Sequence, residues 1–144
     1  MPHKLPNNDK TAKLLSQALD LGWFFPEFTA ADMSKYFLKS GLYRYTIGST
    51  VIEQGEEGRD IYVVEMGSVT VSRVDDGQES ILSVIESGGL FGHVGFLRGA
   101  KRSARVTARE DSHIFRLVYN DIKYLLIKNK GLGCHLDKFA MDRS

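Results

Sequence analysis

Apolar and polar positions change rhythm twice along the chain, and the changes divide it into a helical start, a β-rich middle and a helical end. Residues 1 to 8 are polar with two prolines and read as loose. From Thr11 to Leu21, Leu14, Leu15, Ala18 and Leu19 recur at helical spacing, predicting an amphipathic helix that Gly22 ends. Trp23, Phe24, Phe25 and Phe28 then concentrate aromatic side chains, read first as a plug that docks this helix on the rest of the domain and, as the alternative, as a partner-binding patch. Thr29 with Asp32 three residues on has the form of a capping box, and Met33, Tyr36 and Phe37 follow on one stripe, so a second helix is predicted over 30–39.

After Gly41 the period shortens to that of strands. β-Prone runs fall at 42–46, 50–54, 61–65, 68–73, 79–85, 103–108 and 113–117, separated by turn residues such as Gly48-Ser49, Gly55-Glu56-Glu57-Gly58 and Met66-Gly67. Asp76-Gly77 between two apolar runs is the clearest hairpin tip. Seven short strands with evenly spaced turns predict a mainly β domain with flanking helices, an antiparallel jelly-roll barrel or sandwich. From Tyr119 to Ile127, Ile122, Leu125 and Leu126 predict a further helix, and Leu132, Leu136 and Phe139 the start of another. The organisation expected is a tail and helix over 1–23, a β domain over 24–130 and the start of a C-terminal helix over 131–144.

Composition narrows the function classes. The chain has 144 residues, 42% hydrophobic and 26% charged, enough to bury one core. A net charge of +1 supplies no general attraction for nucleic acid or anionic lipid. One cysteine, Cys134, excludes an internal disulfide, and the four histidines lack the spacing of a zinc site. No run approaches the length of a membrane span, and Met1-Pro2-His3-Lys4 has no signal-peptide apolar region, so a cytoplasmic protein is expected. No Gly-x-Ser-x-Gly elbow or Gly-Lys-Ser/Thr phosphate loop is present, which argues against an enzyme. A cupin-like metalloenzyme shares the barrel but needs converging histidines, and His93, His113 and His135 are not spaced for it.

One stretch carries chemistry. Gly88-Gly89-Leu90-Phe91-Gly92-His93-Val94-Gly95-Phe96 allows close backbone approach and one short helical turn whose free N–H groups favour an anion. Arg102-Ser103-Ala104 follows with a guanidinium fork and a hydroxyl. The competing reading is a solvated basic loop, since Arg98, Lys101 and Arg105 lie nearby.

These residues resemble the phosphate-binding cassette of cyclic-nucleotide-binding domains, the type found in catabolite activator protein and the protein kinase A regulatory subunit. Gly48, Gln54-Gly55-Glu56-Glu57-Gly58, Ile61-Tyr62-Val63-Val64 and Gly67-Ser68-Val69 extend the resemblance over about residues 24–130. It implies a sensory domain with Phe91, Gly92, His93, Val94, Gly95, Arg102, Ser103 and Ala104 at the ligand, which is cAMP rather than cGMP because Ser103 stands where cGMP-selective members more often carry threonine. No cofactor is implied. The partners implied are the cyclic nucleotide and a second copy or an effector met through the terminal helices, and no helix-turn-helix pattern for DNA is found. The resemblance breaks at His93, where the family has an acid that accepts from the ribose 2′-hydroxyl. Imidazole is a poorer acceptor there, so the alternatives are weak binding, another anion, or a degenerate fold serving protein contacts.

Overall fold

The computed structural model describes residues 2–19, 27–92 and 101–128. Its elements are β1 (His3–Leu5), α1 (Asp9–Ala18), α2 (Ala30–Tyr36), β2 (Gly41–Tyr45), β3 (Thr50–Ile52), β4 (Ile61–Met66), β5 (Ser68–Asp75), β6 (Gln78–Glu86), β7 (Leu90–Phe91), β8 (Arg105–Ala108), β9 (Ser112–Leu117) and α3 (Tyr119–Lys128). The strands form two antiparallel sheets, β1-β2-β9-β4-β7 and β3-β8-β5-β6. This is the jelly-roll-like architecture expected. The described strands make two facing sheets rather than a closed barrel.

Two apolar bodies hold the layers together, and β4 belongs to both. Tyr62 and Val64 point between the sheets, where Tyr45, Ile52, Val69, Phe91, Val106, Ala108 and Ile114 meet them. Ile61 and Val63 point the other way, onto Leu15, Met33, Phe37, Leu117 and Ile122 of the helical layer and β9. The unbroken run Ile-Tyr-Val-Val is therefore that of a strand covered on both faces. A register shift at Val64/Met66 interrupts its ladder with β9. Beside that shift the buried Glu65 carboxylate is met by Lys10 Nζ of α1 at 3.6 Å and His113 Nδ1 of β9 at 3.4 Å.

The helix starts follow the capping chemistry. Thr29 accepts from the Asp32 N–H and donates its own N–H to the Asp32 carboxylate, closing the predicted box. Asn8 caps α1, which starts two residues earlier than its apolar pattern suggests. The second helix stops at Tyr36 rather than Lys39 because Phe37 leaves helical geometry to cap it and packs into the helical-side core. Phe28 stacks at a tilt against Phe37, 5.5 Å between centroids, so the described end of the aromatic cluster does face the core. Trp23, Phe24 and Phe25 lie outside the described residues, as does the segment 131–144.

Three strand expectations need correction. Residues 3–5, read as loose, pair with β2, His3 opposite Arg44 and Leu5 opposite Leu42. β3 ends at Ile52 because Glu53 and Gln54 turn into a hydrogen-bonded loop. β8 begins at Arg105, since Ser103 and Ala104 lie in a bend. The hairpin tip is as predicted: Asp76 and Gly77 both have positive φ, 52° and 78°, the two-residue turn that matches strand twist.

α3 is fastened at its first turn. The Asp121 carboxylate accepts from the Lys39 and Ser40 N–H groups at 2.9 Å each and from the Ser40 hydroxyl at 2.7 Å. Ser40 Oγ in turn accepts from the Val118 N–H. Asp121→Ala leaves these buried donors unpaired and should cost about 2–4 kcal/mol in chemical denaturation; a loss under about 0.5 kcal/mol, the usual scale of a surface change, would show that the tether is dispensable.

Burial also sets an alkaline limit. Desolvation, with Tyr62 nearby, pushes the Tyr45 phenol up to about 12 from its ordinary 10. The folded state thus favours the neutral phenol, and the stability this gives is complete below pH 10 and lost as pH rises through about 12. Tyr62 shifts the same way, burial being the main cause. Alkaline unfolding followed by phenolate absorbance should place the transition in that window, and Tyr45→Phe should make stability fall less steeply across it.

Candidate functional site

Two loops and a strand start converge on Arg102. Its main chain is latched to the loop after β3: the Gly55 N–H donates to the Arg102 carbonyl and the Arg102 N–H to the Glu56 carbonyl, both at 2.8 Å. Lys101 forms an isolated bridge with Glu57 beside them. The side chain turns inward and is 8% exposed. Nη1 donates to the Gly92 carbonyl at 2.9 Å and Nη2 to the Asp60 carbonyl at 3.0 Å.

Glycines make the space. At Gly58 a Cβ would stand 3.0 Å from Nη2 and 3.1 Å from Nε of Arg102, so any larger residue presses on the guanidinium. Gly58 therefore does more than turn the chain, the only role its sequence context suggests. Gly92 has φ of 85°, and a Cβ there would meet the Asp60 carbonyl at 2.7 Å. Both its conformation and its neighbours require glycine. Under Gly92 the Tyr62 and Phe91 rings stack at 5.0 Å and 6°, an apolar floor continuous with the core between the sheets.

Charge is the notable feature. Among the described residues no carboxylate pairs with Arg102: both acceptors on it are neutral carbonyls. A buried cation in that state favours an anion. Asp60, whose carbonyl accepts from Arg102, spends its carboxylate elsewhere, on Arg116 Nε at 2.8 Å and Nη2 at 2.7 Å and on the Tyr119 N–H at 3.1 Å. Arg59 lies 4.0 Å over the Tyr119 ring.

Of the residues expected at the site, Phe91, Gly92 and Arg102 are brought together, Phe91 as buried floor. Ser103 is exposed and Ala104 half-buried in the bend that follows. His93, Val94 and Gly95 lie outside the described residues. Asp60 and Tyr62 were not singled out from sequence, because one acts through its backbone oxygen and the other reads as strand core. No group of three or more His, Cys, Asp or Glu residues placed to hold a metal occurs among the described residues, and none of their helices is long and apolar enough to cross a membrane.

Comparison with known proteins places this geometry. The family model for the cyclic nucleotide-binding domain matches residues 42–129. Among curated proteins the chain is 39% identical over 90 residues to the cAMP-activated global transcriptional regulator CRP of Haemophilus influenzae, covering 61% of this chain and 40% of that protein. It is 28% identical over 114 residues to the cAMP-dependent protein kinase regulatory subunit of Dictyostelium discoideum, covering 78% of this chain and 35% of that one. The chain thus spans well under half the length of these relatives. Among solved structures, catabolite activator protein of Thermus thermophilus aligns with a TM-score of 0.68 and 26% identity over 83% of this chain and 56% of its own. A cyclic nucleotide-binding domain from Methylobacillus flagellatus shares the fold, with a TM-score of 0.76 and 16% identity over 99% of this chain and 86% of its own. With more than half of its residues matched by the model, the strand order described above and Arg102 set between Gly58 and Gly92, this chain belongs to the cyclic nucleotide-binding domain family.

Proposed function

We propose that this domain is a regulatory sensor that binds a purine 3′,5′-cyclic mononucleotide, cAMP in preference to cGMP, with the ligand phosphate on Arg102. The observation that carries the reading is the buried guanidinium held by two carbonyls and, among the described residues, by no acid. A cyclic phosphate brings one negative charge and two free oxygens, which match a planar fork of donors better than they match an ammonium. Ser103, exposed at the exit of the clamp, adds a hydroxyl. The named relatives, a cAMP-activated regulator and a cAMP-dependent kinase's regulatory subunit, support a regulatory role and favour cAMP. Binding regulates because the ligand prefers one arrangement of the cassette and of the helices that pack beside it. The effector is a partner protein or a further segment reached through the terminal helices.

Calorimetric titration with cAMP and cGMP tests this. The wild-type protein should bind both, cAMP more tightly. Arg102→Ala should lose on the order of 2–5 kcal/mol, tens- to thousands-fold in affinity, because the phosphate is then buried without its partner. Gly58→Val should lose affinity by displacing the guanidinium while the sheet remains folded by circular dichroism. Equal binding by wild type and Arg102→Ala would remove Arg102 as the clamp. Binding of inorganic phosphate without either nucleotide would favour another anion as ligand.

His93 supplies a separate test. With a carboxylate restored as acceptor for the ribose hydroxyl, His93→Glu should bind cAMP more tightly than wild type, by about 1–3 kcal/mol or roughly ten- to a hundredfold. No gain, with wild type binding neither nucleotide, would mean that the domain works through its surfaces.

A further inference from the structure

Arg105 lies three residues beyond the clamp, at the start of β8. Val106 and Ala108 enter the core between the sheets, which puts Arg105 on the opposite face. There it forks: Nε lies 2.7 Å from Glu53 Oε1, and Nη1 lies 2.9 Å from Glu79 Oε2. The two acids come from different elements. Glu53 starts the loop whose Gly55, Glu56 and Gly58 hold Arg102, and Glu79 lies in β6 just after the hairpin tip. Hydrogen bonding from Arg105 holds the Glu53 carboxyl below its ordinary range.

A second fastening lies beside the first. The Gln54 side-chain amide accepts from the Val74 N–H at 2.7 Å and donates to the Val74 carbonyl at 3.0 Å, taking the place of a neighbouring strand at the end of β5. The clamp loop is thus pinned to both strands of the β5–β6 hairpin. That hairpin supplies Val69, Val71 and Ile85 to the same apolar body as the Tyr62–Phe91 floor. Its outer residues 75–87 contain Asp75, Asp76, Glu79 and Glu86 and no Lys or Arg. The basic side chain paired with Glu79 comes from outside that run, from Arg105 of β8.

Exposed ion pairs contribute little to stability, so a fork joining three elements at the surface is better explained by the geometry it fixes. We propose that Arg105 is a positioning residue that holds the β5–β6 hairpin at a set distance from the Arg102 clamp and thereby governs discrimination between ligands that share a phosphate but differ beyond it. The inference rests on the proposed function for its ligand and on the fork itself for its mechanics.

Hydrogen exchange and calorimetry on the full chain test the two parts separately, using wild type, Arg105→Met, Arg105→Lys and Glu79→Gln. Without ligand, Arg105→Met should speed exchange of the Gly55 and Val74 amides severalfold and leave β2, β4 and β9 unchanged. Glu79→Gln should reproduce the effect at Val74, and Arg105→Lys should restore part of it. With ligand, Arg105→Met should weaken cAMP binding roughly 3- to 30-fold and bring the cAMP and cGMP affinities closer together, whereas Arg102→Ala weakens both alike. Salt at about 0.5 M, which screens exposed charges, should narrow the same ratio in wild type but not in Arg105→Met. Unchanged exchange at Gly55 and Val74 overturns the inference whatever binds. Faster exchange with an unchanged cAMP to cGMP ratio overturns its role in selectivity. If wild type binds neither nucleotide, the proposed function fails, the selectivity role falls with it, and the exchange result still decides whether the fork pins the hairpin.

Discussion

A positive charge to which the described residues bring no negative partner, held out of water, is the condition on which the site depends. Arg102 is costly to bury, and two carbonyls return only part of what water supplied. The surroundings are arranged to keep it there all the same. Its main chain is pinned to Gly55 and Glu56, its side chain lies where Gly58 and Gly92 leave room, and its acceptors sit on segments anchored by the two cores. Such arrangements persist at binding sites, where the ligand supplies the missing interaction.

The helical layer bears on this site through Asp60. Its carbonyl accepts from Arg102, while its carboxylate accepts from Arg116 on β9 and from the N–H of Tyr119, the first residue of α3. One residue thus contacts the clamp with its backbone and the helix start with its side chain. On the far side of the helical layer, Asp9 of α1 accepts from the Ala30 N–H at the start of α2, and Lys10 reaches Glu65 of β4. The helices are therefore joined to the sheet by directed polar contacts as well as by the apolar body containing Leu15, Met33 and Phe37.

Much of this was legible in the sequence, for reasons that differ by element. The capping box at Thr29 and the turn at Asp76-Gly77 were readable because a side chain or a required φ leaves its mark on residue choice. The meeting of Gly92 with Arg102 was readable because a glycine-bounded stretch and a guanidinium fork each leave a mark on residue choice. Asp60 was not, since a backbone carbonyl has the same chemistry at every residue. Gly58 was hidden among turn glycines, because nothing local distinguishes a glycine needed for φ from one needed for space. β1 was missed because His-Lys-Leu between two prolines has no alternation to read; its partner, β2, supplies the reason for its conformation. β6 was recognised as a strand, but its apolar Ile81 and Leu82 are 69% and 56% exposed, which periodicity alone does not reveal.

The contrast between β4 and β6 has a meaning for how such a chain can change over generations. In β4 the residues from Ile61 to Glu65 are all buried, four of them filling one core or the other, so a tolerated replacement there must keep both volume and polarity. Two turns further along the chain, almost every side chain of β6 stands in solvent and is released from that double demand. The hairpin can accumulate new surface chemistry while the strand before it stays nearly fixed, and a domain built in this way can change one of its faces without reopening the problem of how it folds.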